Sequence, residues 1–201
     1  MNTNKLIKSL IFYMFSAFGI SLTIKAMIGV SSFNSLNVAL ANVTTIKIGT
    51  ITTIINCCFL LLCWFLDNQR AIKPYFLMLM ALLLFGTIIN LFLYTFLKSV
   101  TISNYFLRVL LFIVGTTISG YSTGRALSLN LLKFPIEHFC VLIANRSNHS
   151  FKFYRYSIDI FCVSFSLLLS WHYQLPIVVR EGTVISLFLL SFMISWAKEK
   201  E

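Results

Sequence analysis

The sequence predicts an all-α membrane protein with about six transmembrane helices in two inverted-topology halves, each carrying a short re-entrant or interfacial half-helix. Three observations lead there. Of 201 residues, 58% are hydrophobic and 11% charged, whereas soluble domains carry about 25% charged residues; polar side chains are too scarce to coat a soluble globule. Apolar runs recur at the ~20-residue length that a bilayer core demands of a helix. A plan in residues 31–56 recurs 103 positions later in residues 134–159: Ser32 falls on Pro135, Phe33 on Ile136, Asn34 on Glu137, Leu36 on Phe139, and Asn56 on Asp159. The chain therefore reads as one integral membrane domain with halves 1–100 and 101–201.

Residues 6–26 form the first span, with Lys8 and Lys25 near its ends, where long side chains snorkel to the interface. Lys25-Ala26-Met27 lacks a small-x-small cleavage site, so this run is read as a retained span and not a leader peptide. Residues 27–47 are too polar to cross. Within them Phe33, Leu36 and Leu40 share one helical face, while Asn34, Asn37 and Ala41 share another. A short half-helix with Ser31 or Ser32 as its N-cap is expected.

The second span covers 49–65, and a polar turn around Asp67, Asn68, Gln69 and Arg70 leads to Pro74 at a new helix start. Residues 75–97, free of charge, form the third span, and 98–104 a turn. The fourth span, 105–125, carries Gly115, Ser119, Gly120 and Gly124. Small residues permit close approach of helices in lipid, so a helix–helix contact is expected there ahead of a substrate path.

The second half-helix begins at Pro135, with Ile136, Phe139 and Ile143 repeating the apolar face of the first. The fifth span is 153–171, with Arg155 and Asp159 near its start. The last, 183–197, is charge-free for only 15 residues, short for a crossing, and follows Arg180-Glu181, where a periplasm-side salt bridge and a gating role both fit. A local likeness, seven identities in eleven positions, also relates residues 182–192 to 86–96, in a register of 96.

The formal net charge is +10. In a soluble chain that would raise nucleic-acid binding, but here the basic residues collect at one side, as cytoplasmic loops do. With the N-terminus inside, eleven Lys and Arg, Arg70 and Lys200 among them, fall on the cytoplasmic side; Lys25, Lys47, Lys98, Arg108 and Arg180 fall outside. Both termini are expected in the cytoplasm, and no nucleic-acid partner is expected. Three spans per half forces the halves to insert oppositely, the plan of many secondary transporters. Cys57, Cys58, Cys63, Cys140 and Cys162 form no C-x-x-C pair, and His138, His149 and His172 have no ligand spacing, so neither metal nor cofactor is expected. A Walker loop and H-E-x-x-H are absent, which argues against an enzyme.

Over nearly its whole length the chain resembles the YczE/YyaS/YitT family of bacterial membrane proteins. The family's Ala-x-x-Gly-x-x-Pro-x-Asp-x-Leu stretch is similar to Ala26, Gly29, Ser32, Asn34 and Leu36, with Ser32 in place of the Pro and Asn34 in place of the acid. A second copy resembles Pro135, Glu137 and Phe139; Arg-x-x-x-Asp resembles Arg155 to Asp159; and Gly-Thr-Ile-Ile resembles Gly182 to Ile185. The resemblance implies a multi-pass protein of a bacterial plasma membrane.

Asp159 is the sharpest single residue. A carboxylate within a span costs ~2.5–3.5 kcal/mol on insertion scales and usually has a partner; Arg155, four residues earlier, lies on the same face. A structural ion pair and a proton- or cation-coupling role both fit. Glu137 sits where an acid caps a helix N-terminus, and such termini also bind anionic groups of substrates. The expected substrate-binding set is Ser32, Asn34, Asn56, Glu137, Arg155 and Asp159, between the halves. The leading expectation is a small secondary transporter or permease-like protein for a small-molecule or ion substrate, working as a homodimer in the lipid bilayer. The alternative is a non-transporting membrane protein that assists or regulates a partner.

Overall fold

The computed structural model describes residues 3–68, 71–129 and 131–199. Gln69, Arg70 and Lys200, used above for the turn and the charge count, lie outside them. The helices are α1 (Thr3–Ala26), α2 (Ser32–Thr44), α3 (Ile48–Leu66), α4 (Ile72–Leu91, continuing as a π-helical turn Phe92–Phe96), α5 (Tyr105–Ser128), α6 (Pro135–Ala144), α7 (Phe151–His172) and α8 (Glu181–Glu199). Six of them, all but α2 and α6, are long and apolar enough to cross a membrane.

The two interrupted segments form the two short helices, α2 of 13 residues and α6 of 10. Ser31 is the N-cap of α2; its side chain makes no cap bond, and its carbonyl accepts from Ser35 N at 2.8 Å. The polar stripe of α2 turns inward: Asn34, Asn37 and Ala41 are buried, while Phe33 and Leu40 are only half-buried. Leu36 is buried too, and Phe33 meets the Phe59 ring of α3 edge-on at 6.4 Å, so the apolar face of α2 also packs on protein.

The last crossing is longer than the sequence suggests. Helix α8 runs 19 residues, because Glu181 joins its first turn and Lys198 its last, both at ends where charged side chains reach the interface. Among the described residues Arg180 and Glu181 form no ion pair. Arg180 Nη1 instead donates to the Met27 carbonyl at 3.2 Å, and Gly182 N to the Ile28 carbonyl at 2.8 Å, so the loop before α8 is tied to the loop after α1. The likeness of residues 182–192 to 86–96 does not mark equivalent places: Gly86 lies deep in α4, whereas Gly182 lies in the first turn of α8.

Glycine sets the closest helix crossings. A Cβ on Gly19 of α1 would lie 2.6 Å from the Gly115 carbonyl of α5, so these antiparallel helices meet backbone to backbone. Gly120 and Gly124 of α5 face Met193 and Ile194 of α8. The fourth-span glycines thus make the expected helix–helix contact. Gly49 and Gly86 bring α3 onto α4, where Asn90 accepts from Gly49 N at 2.8 Å and donates to Thr50 Oγ1 at 3.0 Å.

The short helices each pack on a long helix far away in sequence. Helix α2 lies on α7, with Ser166 Oγ donating to the Ser35 carbonyl at 3.0 Å; α6 lies on α3, with Cys63 Sγ donating to the Pro135 carbonyl at 3.4 Å. An aromatic core joins α1, α4 and the approach to α6: Tyr13 stacks on Phe134 at 4.4 Å and meets Phe85 edge-on at 5.7 Å. Among the described residues, α7 and α8 do not pack on each other.

Candidate functional site

The first turns of α2 and α6 open onto one cavity of ≈ 100 Å³, room for a few waters or a small solute. Helix α2 contributes Ser31, Phe33 and Asn34; α6 contributes Ile136 and Glu137. Thr52 and Asn56 line it from α3 and Arg155 from α7. Its remaining polar wall consists of hydroxyls: Ser16 and Thr23 of α1, Thr116, Ser119 and Thr123 of α5, and Ser186 of α8. Phe85, Phe112 and Phe134 close it with apolar surface.

Much of this wall is already internally bonded. Ser16 Oγ lies 3.0 Å from Thr123 Oγ1 and 3.5 Å from Ser119 Oγ. Asn56 Nδ2 donates to the Thr52 carbonyl at 2.8 Å, and Ser186 Oγ to the Thr183 carbonyl at 2.8 Å. Thr116 is different. It is buried and its Oγ1 has no protein partner, so a polar atom facing the cavity is left for a bound species.

The charged end of the cavity is a three-residue cluster. Arg155 Nη1 lies 3.0 Å from Asp159 Oδ1, and Arg155 Nε lies 3.9 Å from Glu137 Oε1. The first is a charge-assisted hydrogen bond; the second is beyond hydrogen-bond reach. Glu137 sits in the first turn of α6, behind Pro135 at the helix start, where free N–H groups favour an acid. Burial pushes its carboxyl above the ordinary carboxylate range, and the Arg155 guanidinium opposes that rise.

Beyond the cluster lies a groove of ≈ 500 Å³ where α7 and α8 stand apart. Glu137, Arg155, Leu190 and Ile194 line both spaces, so these four side chains form the septum between cavity and groove. Asp159 faces only the groove. Its neighbour there, His138, is buried, its Nε2 lies 3.5 Å from Tyr75 Oη, and burial holds its pKa below the ordinary imidazole value.

The structure therefore gathers Asn34, Asn56, Glu137 and Arg155 around one cavity and joins Asp159 to it through Arg155. Ser32 is buried but points elsewhere; Ser31, one position earlier, lines the cavity, because the helix begins at Ser32 and the preceding residue faces its open end. Sequence reasoning missed the hydroxyl wall. Thr116, Ser119 and Thr123 fall at i, i+3 and i+7, one face of α5, and that spacing was the available signal. Among the described residues, no group of His, Cys, Asp and Glu is placed to hold a metal ion.

Residues 3–199 match the family described as "Family of unknown function (DUF6198)". The chain is also similar to the uncharacterized protein YyaS of Bacillus subtilis (strain 168), at 27% identity over 137 residues, which are 68% of this chain and 67% of that protein. The family resemblance seen in the half-helices thus includes YyaS. No solved structure matches the chain.

Proposed function

We propose, for a chain that belongs to DUF6198, a family described as of unknown function, that this multi-pass membrane protein is a small secondary transporter working by alternating access. The observation that carries the reading is the convergence of two half-helix first turns on one polar cavity, parted from an open groove by the Arg155–Glu137 pair. Half-helix termini and unwound backbone near the middle of a bundle are how such proteins hold a substrate or coupling ion. Non-helical backbone at that depth is tolerated against protein or a water-filled space.

Two inverted halves belong to the same proposal. The contacts that support it are reciprocal: α2 lies on α7 as α6 lies on α3, and α1 meets α5 at Ser16 and Ser119, residues 103 positions apart, the spacing of the two half-helices. Asn34, Asn56, Glu137 and Arg155 would hold the solute, with Asp159 sharing Arg155. A bacterial plasma membrane, cytoplasmic termini and a homodimer complete the reading.

Its test is a thermal-stability screen of the purified protein in detergent against small anions, cations, amino acids and vitamins across pH, with Asp159→Asn alongside. Stabilisation by one ligand class, reduced in the variant and abolished in an Asn34→Ala/Asn56→Ala/Glu137→Ala variant, supports the assignment. Undiminished binding in both variants removes it. The second reading, a membrane protein that assists a partner, would show as a stoichiometric co-purifying protein with no ligand response. One of its supports is weakened, because the glycines of α5 are taken up by α1 and α8.

A further inference from the structure

The α7–α8 groove differs in character from the cavity behind it. Three lysines stand at its mouth: Lys133 before α6, Lys152 in the first turn of α7 and Lys198 in the last turn of α8. All are exposed, and none makes an ion pair among the described residues. Both carboxylates in the groove, Glu137 and Asp159, lie against Arg155, which offsets one of their two negative charges. The three lysines at the mouth therefore outweigh the one negative charge left on the cluster behind them, and the groove is net positive.

Depth along the helices changes the chemistry. One turn in from Lys152 lies Tyr156, and one and two to three turns back from Lys198 lie Ile194, Leu190 and Leu187. Val141 of α6 adds to the same apolar wall. Among the described residues α7 and α8 do not pack on each other, so this apolar wall runs between two separated helices. A soluble anion would satisfy the lysines and leave the apolar depth to water. A zwitterionic lipid would fill the depth and leave the lysines uncompensated.

We propose that the groove between α7 and α8 is a binding site for an anionic phospholipid. Its headgroup phosphate lies among Lys133, Lys152 and Lys198, and an acyl chain lies against Leu187, Leu190 and Val141. The site needs no transport activity and goes beyond the transporter reading. Its occupant would sit against the groove side of the Arg155–Glu137 septum. Basic recesses between membrane helices are suited to anionic headgroups because each Lys near the surface contributes attraction on the order of 1 kcal/mol before screening.

Native mass spectrometry of the full chain, released from micelles doped with phosphatidylglycerol or phosphatidylcholine, reads the site directly. Phosphatidylglycerol should be retained as a stoichiometric adduct and phosphatidylcholine should not. Retention should fall about tenfold or more in Lys133→Gln/Lys152→Gln/Lys198→Gln and stay unchanged in Lys47→Gln/Lys98→Gln, at the opposite end of the bundle. If the triple variant fails to fold, Leu187→Trp, which fills the groove with the lysines intact, should lower retention in its place. Equal retention of both lipids, or full retention in the lysine and Leu187 variants, overturns the proposal. So does equal stabilisation by soluble glycerol phosphate, which would assign a free-anion site instead. No transport step enters the measurement, so its failure is distinct from failure of the transporter reading.

Discussion

Arg155 is bonded to Asp159 across one turn of α7 at 3.0 Å and only leans towards Glu137 of α6 at 3.9 Å. One guanidinium thus serves two carboxylates unequally, at the wall between cavity and groove. The i, i+4 pair fixes Arg155 to its own helix, and the weaker contact spans two elements that move separately if α6 shifts.

Loss of Arg155 should therefore be worse than loss of either acid. Arg155→Ala leaves two partly buried carboxylates without a counter-charge and should cost about 1–3 kcal/mol, below the ~3–5 kcal/mol of a fully buried pair because solvent reaches the cluster. Asp159→Asn should cost less, since Glu137 can still pair with the freed guanidinium. Unfolding by SDS in mixed micelles measures both, and equal losses would contradict a shared cation.

Thr116→Val tests the unpartnered hydroxyl. Replacing a buried group that has no hydrogen-bond partner should leave stability unchanged or raise it by up to ~1 kcal/mol. The same change should weaken any ligand found in the cavity. A clear loss of stability would show that Thr116 Oγ1 is bonded in the resting protein.

The α3–α4 crossing should tolerate no added atom. A Cβ at Gly49 would meet the Gly86 carbonyl and lie 2.7 Å from Asn90 Oδ1, so Gly49→Ala should force the helices apart at a cost of about 1–3 kcal/mol. Gly120→Ala, whose Cβ would lie 2.7 Å from Met193 Cβ and 3.3 Å from the Leu190 carbonyl, meets atoms that move only with the α8 backbone and should carry a cost of the same order. Melting curves in one detergent compare the two.

The crossing pattern is open to chemical labelling. In a background with the five cysteines replaced, Asn4→Cys and Glu199→Cys should react with an impermeant maleimide from the same side of sealed vesicles. Lys47→Cys and Tyr173→Cys should react from the other. All four positions are exposed at helix ends. Reaction of residues 4 and 199 from opposite sides would exclude six crossings.

Six long helices and two short ones were legible in the sequence because hydropathy and 3.6-residue periodicity are local properties of the chain. Phe33, Leu36 and Leu40 marked α2, Pro135 marked the start of α6, and the spacing of Arg155 and Asp159 alone placed their charges together. Length at the ends was less legible: Glu181 and Lys198 interrupt an apolar run without interrupting the helix. Ser31, and not Ser32, lines the cavity for a similar reason, since one residue at a helix start decides which side chain faces the open end.

Sequence by itself determined that the chain is an all-helical membrane protein, where its helices lie, and that Arg155 and Asp159 pair. Only the tertiary structure decided which polar residues share a cavity. Ser16 meets Thr123 because the glycine crossing of Gly19 on Gly115 fixes how α1 and α5 are rotated against each other, and Arg155 approaches Glu137 because α6 packs on α7. The groove likewise exists because α7 and α8 stand apart where α3 and α4 close on Gly49 and Gly86. Helix formation depends on neighbours a few residues away; rotation, crossing and separation depend on which backbones can touch, and no local pattern records that.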